Sequence, residues 1–329
     1  MPTASNKKET STAVQAVQLP PELAQTKIKS ESQWQLAWRR LRRHRLAMVG
    51  LTVILIIVLL SILSSVISPY SYEEINLSSS FSPLFSPDSA GGPTHILGTD
   101  KLGRDIFSRL LYAGQISLLV ALLVTTISIA VGTVLGAVAG SFGGAMDNVL
   151  MRFTDICLTL PDLPVLLILS SSLRQFTQLQ EFLGSSMSVV IIVFVLSVFG
   201  WMGIARLVRG QVLSLRTMPY VEASQALGAN RSRVIFTHLI PNSLAPIIVS
   251  ATLGFGGVII AESALSFLGF GVMPPVPTWG NMLNEARNAP LEYLFTQALS
   301  PGFAIFLTVL SVNFVGDGLR DALDPRLKL

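Results

Sequence analysis

Charge is scarce in this chain of 329 residues: 13% are Asp, Glu, Lys or Arg, while half are hydrophobic. A soluble domain is roughly a quarter charged, so there are too few polar residues here to cover a water-facing surface. The mean hydropathy of +0.60 agrees, and the composition is that of a membrane protein. Cysteine is nearly absent. The single Cys157 excludes an intramolecular disulfide framework and any multi-cysteine metal site, and the three histidines, at 44, 95 and 238, show no ligand spacing. There is no P-loop string and no paired-histidine zinc string. The glycine-rich strings Gly254-Phe255-Gly256-Gly257 and Gly269-Phe270-Gly271 lie in apolar surroundings without the strand-turn-helix context that nucleotide binding needs. No catalytic, metal or cofactor site is legible, and the chain reads as a non-catalytic subunit.

A formal charge of +4 could suggest nucleic acid, but nine of the 23 basic residues lie in the first 45 positions. Five of them form the run Arg39-Arg40-Leu41-Arg42-Arg43-His44-Arg45, which abuts a long apolar stretch. Such a cluster is a membrane-surface anchor rather than a nucleic-acid site. The apolar stretch begins only at Leu46 and meets no charge until Glu73, too late and too long for a cleaved signal peptide. It is a span that stays.

A bilayer-crossing helix needs about 20 apolar residues. Stretches free of Asp, Glu, Lys and Arg occur at 46–72, 110–146, 182–205, 234–261 and 293–316. A sixth, 263–283, is broken by Gly269, Gly271, Pro274, Pro275, Pro277 and Gly280, and reads as an ordered loop or re-entrant segment. The piece 148–170 carries Arg152, Asp155, Pro161, Asp162 and Pro164, and loop charge decides whether it crosses. If it crosses, both termini are cytoplasmic and 18 of the 23 Lys and Arg fall inside against 5 outside; if not, the split is 12 to 11. Retention of basic residues on the cytoplasmic side selects six spans, predicted at 46–67, 113–140, 148–170, 187–207, 240–262 and 298–317. The fold class is an all-α membrane protein with six transmembrane helices. Residues 1–33 form a polar tail expected to be disordered. From 34 to 67, an interfacial helix with Trp34, Trp38 and Leu41 on one face leads into the first span. An extracytoplasmic loop occupies 68–112, a five-helix core 113–318 and a cytoplasmic tail 319–329.

Within the spans, Gly132, Gly136 and Gly140 form a small-xxx-small ladder that reads as helix packing. Asp155 and Asp162, seven apart, are predicted to share a helical face. They could act as a proton relay, which would make the chain an ion-driven transporter or channel. The simpler reading pairs Asp155 with Arg152 at i,i+3 near the cytoplasmic surface. Cys157 reads as a small buried apolar residue.

The most informative stretch is the cytoplasmic loop 208–239. Thr217-Met218-Pro219-Tyr220 opens a helix with Thr217 or Met218 at the cap and Pro219 in the first turn. Gly228 ends it, and Asn230 caps a second helix predicted to stop at Ile240, before Pro241. The first helix is too short to be stable alone in water, so it is expected to dock against something.

Glu222-Ala223, Gly228 and Ile240-Pro241 resemble the EAA pattern of binding-protein-dependent ABC importer permeases. Two further stretches narrow the resemblance to the second, C-type permease of the dipeptide, oligopeptide, nickel and glutathione importers. These are His95 through Asp100-Lys101-Leu102-Gly103-Arg104-Asp105 to Tyr112, and Gly316-Asp317-Gly318 through Asp324-Pro325-Arg326. Trp38-Arg39-Arg40 with Leu46 to Gly50, and Glu262-Ser263-Ala264-Leu265-Ser266-Phe267-Leu268-Gly269 through Pro274-Pro275 to Trp279-Gly280-Asn281-Met282, fit it too. The chain departs from the pattern at Gln115 and at Ser224-Gln225, the second change removing a charge from the docking face.

The resemblance implies a type I ABC importer permease fold in a bacterial plasma membrane. It implies a sister permease, two ATPase subunits that bind the ATP, and an external substrate-binding protein, with peptides as cargo. It also implies that Tyr220, Glu222, Ala223, Ala226 and Gly228 belong to a coupling helix held by the ATPase. On their own terms, Gly98 and Gly103 bracket a tight turn, Asp105 caps the next helix, and Asp105 and Arg109 form an i,i+4 pair. Asp100, Arg104, Asp105 and Arg109 read as a structural clamp or as a contact with the binding protein. The proline-stiffened segment 274–279 reads as a lid or scaffold over the outer mouth, with Trp279 in the interfacial belt.

Overall fold

The computed structural model describes residues 33–89, 91–176 and 181–324. The tail expected to be disordered lies outside the described residues except for Gln33, as does the end of the chain from 325 onward. The helices are α1 Gln33–Arg43, α2 Arg45–Ile62, α3 Ser64–Ile67, α4 Ile106–Phe142, α5 Gly144–Thr159, α6 Asp162–Leu173, α7 Met187–Leu215, α8 Pro219–Ala226, α9 Arg231–Val234, α10 Ile240–Phe267, α11 Trp279–Ala286 and α12 Leu291–Leu323. Among the described residues the extended pairings are two isolated bridges, Ser86 with His95 and Thr99 with Asp105.

Five helices are long and apolar enough to cross a bilayer: Arg45–Ile62, Ile106–Phe142, Met187–Leu215, Arg231–Phe267 and Leu291–Leu323. A sixth span exists if α5 and α6, bent by 91° at their junction, are counted as one. At 16 and 12 residues, α5 and α6 reach only about 24 and 18 Å, each short of the ~30 Å hydrocarbon core. Pro161 causes the break. A residue before proline is driven into extended backbone, and Leu160 sits at φ −73°, ψ 140°. The bend also corrects the reading of the two aspartates: Asp155 on α5 and Asp162 on α6 do not share a helical face.

Other boundaries differ from the sequence reading. Helix α4 starts at Ile106, seven residues before the predicted 113, because Asp105 caps it by accepting a hydrogen bond from the Ser108 N–H at 2.7 Å. Pro241 does not end a helix. A π turn at Ile235–Leu239 joins α9 to α10 and absorbs the hydrogen bond that proline cannot make, so 37 residues run on to Phe267. The 263–283 stretch is partly helical: α10 continues four residues past Ser263, and α11 begins at Trp279.

Helix α1 and the last turns of α12 define a tail end of the bundle. There, Ala37 and Leu41 of α1 pack with Ala47 and Ala322, Arg40 donates to the Asp324 carbonyl at 2.9 Å, and His44 caps α2 through the Ala47 N–H at 3.1 Å. Leu41 thus faces the protein, while Trp38 stays about half exposed beneath the Arg42 guanidinium. The Trp34 side chain lies outside the described residues. At the opposite, loop end, residues 68–105 fold over the start of α4. Gly98 and Gly103 there take φ of 77° and 72°, and a Cβ on either would run into the backbone carbonyls of Ser82 or Asn76.

Helices α4 and α7 make the longest contact in the bundle. Gly132, Gly136 and Gly140 turn toward α7: a Cβ on Gly132 would lie 2.7 Å from the Trp201 carbonyl, one on Gly136 would strike the Ala205 carbonyl, and one on Gly140 would lie 2.8 Å from a Val212 methyl. With no water to expel between helices in lipid, such close backbone approach is what holds them together. Large side chains on the outer faces, such as Leu55, Leu59, Phe194 and Ile260, remain exposed, as a lipid-facing surface should.

Gly136→Leu is expected to destabilise the protein by about 1–3 kcal/mol, read as a lowered thermal midpoint in detergent. Gly203→Ala on α7, where a Cβ meets nothing within 4 Å, should leave the midpoint unchanged; an equal loss in both variants would contradict the close α4–α7 approach.

Candidate functional site: the docking helix and the outer ionic cluster

At the tail end, α7 finishes at Leu215 and the chain turns outward into α8. The Arg216 guanidinium holds the turn by donating to the Gly140 carbonyl at 3.3 Å. Met218, at φ −79° and ψ 140°, caps α8, with Pro219 in the first turn. Gly228 at φ +87° reverses the chain, a conformation that costs glycine little. The Asn230 side-chain oxygen then accepts from the Arg233 N–H at 2.8 Å and starts α9. The result is a helix-turn-helix projecting from the bundle.

Within α8 only Val221 is fully buried. It enters a cluster with Ala137 of α4, Ile204, Val208 and Val212 of α7, Val234 of α9, Ile235 and Leu239 of the π turn, and Ile247 of α10. Tyr220 meets His238 edge-on at 6.0 Å between ring centroids. Ser224 is half-buried, while Tyr220, Glu222, Ala223, Ala226 and Gly228 are exposed, and Leu227 at the tip is 89% exposed. A short rod anchored through a buried valine that shares its cluster with α4, α7 and α10, with an apolar residue at its free tip, suits docking by a partner. Val221 and Leu227 escape sequence reasoning, since both are ordinary aliphatics; the period of a short exposed helix with one buried residue is their only signal.

The outer motif assembles at the loop end, with different partners from those predicted. Asp100 accepts from the Leu102 and Arg104 N–H groups at 2.8 and 3.0 Å, and its second oxygen takes Arg104 Nε at 2.7 Å and Arg109 Nη1 at 2.6 Å. Glu285 of α11 takes Arg104 Nη2 at 2.7 Å and Arg109 Nη1 at 2.5 Å. Two acids and two arginines therefore close a buried, balanced cluster that ties the loop, α4 and α11 together. The expected Asp105–Arg109 pair does not form. Asp105 is committed to the cap and to His95 Nδ1 at 3.0 Å, while the Arg109 guanidinium reaches Asp100 and Glu285. Glu285 is the missing member, the one acid between Glu262 and Glu292. Nor does Trp279 lie in an interfacial belt: it is 2% exposed, its indole N–H donating to the Leu110 carbonyl at 3.3 Å.

Charges near the tail end also find other partners. Asp155 pairs with Arg206 of α7 at 2.7 Å, both more than half exposed, rather than with Arg152. Asp147 grips Arg209 through two bonds, at 2.5 and 2.7 Å. Cys157 is partly exposed rather than buried. Among the described residues no group of three His, Cys, Asp or Glu is placed to hold a metal ion.

Burial alone would raise the Glu285 carboxyl, but the adjacent Arg109 and Arg104 overcome it and hold it below the usual glutamate range. A lowered folded-state pKa contributes stability above the unfolded value and loses it as pH falls. Glu285→Gln is therefore expected to cost about 3 kcal/mol at neutral pH. Wild type should lose more stability than the variant as pH drops below about 4, read from unfolding midpoints in detergent; parallel pH curves would refute the pairing.

The sequence matches two family models: Binding-protein-dependent transport system inner membrane component over residues 132–329, and N-terminal TM domain of oligopeptide transport permease C over residues 32–87. It is 40% identical over 315 residues to a dipeptide transport system permease protein of Alkalihalophilus pseudofirmus, covering 94% of each chain. It is 37% identical over 300 residues to an oligopeptide transport system permease protein of Bacillus subtilis, covering 91% of this chain and 92% of the relative. A glutathione transport system permease protein of Salmonella typhimurium is 41% identical over 298 residues, covering 90% and 91%. With one model over more than half its length and relatives of this similarity along nearly all of it, the chain belongs to the binding-protein-dependent inner-membrane permeases of ABC transporters, and within them to the C-type subunits.

Proposed function

We propose that this chain forms half of the translocation pathway of an ATP-driven importer of short peptides, the other half being a sister permease. Two separate ATPase subunits bind and hydrolyse ATP, and an external binding protein delivers the cargo at the loop end. The tail end, with both termini, faces the cytoplasm. The observation that carries this reading is α8, anchored by the buried Val221 with the Tyr220–His238 contact beside it and largely exposed elsewhere, with Leu227 presented at its tip. Burying one leucine in a partner's cleft contributes about 2 kcal/mol, and the exposed Glu222 beside it gives such a cleft a charge to recognise.

The linkage follows from the packing. Val221 shares its cluster with α4, α7 and α10, and the π turn makes α9 and α10 one rod. A push on α8 therefore reaches the tail ends of three long helices together, which is what reorienting a bundle from inward- to outward-facing requires. Dipeptides, oligopeptides and glutathione, the cargoes in the relatives' names, are all short peptides, and on that ground peptides are the proposed cargo. An ion-driven relay through Asp155 and Asp162 finds no support in the geometry, since the 91° bend separates them and Asp155 is already paired with Arg206.

In the assembled complex, Leu227→Asp, Glu222→Arg and Gly228→Pro should each lower ATP-dependent peptide uptake and stimulated ATP hydrolysis by about tenfold or more, with membrane insertion unchanged. Uptake that persists in all three, or that runs on an ion gradient in vesicles without ATP, would defeat the proposal.

A further inference from the structure

Glu262 is a carboxylate that neither α8 nor the outer ionic cluster uses, and it is completely buried near the loop end of α10. Its hydrogen-bond partners are hydroxyls. Ser266 Oγ donates to one carboxyl oxygen at 2.7 Å, and Ser117 Oγ of α4 donates to the other at 3.3 Å. Each hydroxyl in turn accepts a backbone N–H from the segment that follows α10: Val272 N–H to Ser266 at 3.2 Å, and Trp279 N–H to Ser117 at 3.2 Å. One carboxylate thus holds both ends of the 272–279 loop through two relays.

The rest of the segment is laced to the same body. Asn281 Nδ2 donates to the Val276 carbonyl at 2.8 Å, and its oxygen accepts the Thr278 N–H at 2.9 Å. Ser170 Oγ and Arg174 Nη2, from the end of α6, reach the Phe270 carbonyl at 2.6 and 2.8 Å. Gly280 lies so close to α10 that a Cβ there would fall 2.6 Å from Ser263 Cα. Against this buried base, Met273, Pro274 and Pro275 stand exposed.

We propose that Glu262 is the positioning residue that fixes segment 268–286 as one body with α4 and α10, so that the Met273–Pro275 tip is presented at the loop end in a single orientation. A buried carboxyl is expensive to retain, and here its return is directional: its two oxygens orient Ser266 and Ser117, whose hydroxyls accept the two loop N–H groups. An amide in its place keeps the shape but changes the donor and acceptor pattern, whereas an aliphatic side chain would leave both hydroxyls without their partner. The tip thereby becomes a rigid handle on the helices whose other ends carry α8. That last step rests on the importer reading; the positioning itself does not.

The test places a nitroxide on Met273→Cys in a Cys157→Ser background, in the complete complex reconstituted in nanodiscs. Glu262→Leu is expected to make the label mobile and to lower binding-protein-stimulated ATPase by about fivefold or more, with Glu262→Gln intermediate in both. Should Glu262→Leu fail to assemble, Ser117→Ala with Ser266→Ala removes the same two relays at nearly constant volume and should mobilise the label alike. A label as ordered in these variants as in wild type would overturn the proposal. If wild type shows no ATP-dependent uptake while the label still loosens, the importer reading fails and the positioning role stands.

Discussion

Every functional element of this molecule hangs from the seam between α4 and α7. In hydrocarbon, helices gain nothing by hiding leucine from leucine, and cohesion comes from dispersion between closely approaching backbones. Gly132, Gly136 and Gly140 allow that approach over two turns. At its tail end the seam delivers Ala137, Val208 and Val212 to the cluster that receives Val221. At its loop end α4 delivers Ser117 to Glu262 and Arg109 to the outer cluster. Bulk inserted anywhere along the seam would be felt at both ends, because one helix carries both sites.

The two ends solve the burial of polar groups differently. At the loop end, charges are withdrawn from solvent and balanced as two acids against two arginines, an arrangement that yields little net stability but a well-defined geometry. At the tail end, the Asp155–Arg206 pair stays exposed, and exposed pairs of this kind contribute little. The loop end is therefore built as a fixed platform, while the tail end combines one firmly held pair, Asp147 with Arg209, with the exposed Asp155–Arg206 pair.

Much of this was legible in the sequence because it depends on local chemistry. Pro219 opening α8, Gly228 closing it, Asn230 starting the next helix and the glycine ladder all follow from the properties of single residues at fixed spacing. What escaped depends on partners distant in the chain. Arg109 and Asp105 stand at an ideal i,i+4 spacing, yet Arg109 chooses Glu285, 176 positions away, because both Asp105 oxygens are already taken, one by the α4 cap and one by His95. The Asp155–Asp162 reading failed at a proline inside an apolar run, where composition says span and Leu160 says corner. Pro241 failed the opposite way: the rule that proline ends helices holds for α geometry, and the chain evades it by widening one turn.

That widened turn sets a direction as well as a continuity. A π turn inserts one extra residue into the helical count, and one residue is worth about 100° of azimuth. Helix α9, and the hairpin that hands the chain back to α8, are consequently rotated by roughly a quarter turn from where a regular α-helix would aim them. The compass bearing of α8 around the bundle is thus written in the five residues Ile235–Leu239, and a chain one residue shorter there would present the same docking surface to the wrong neighbour.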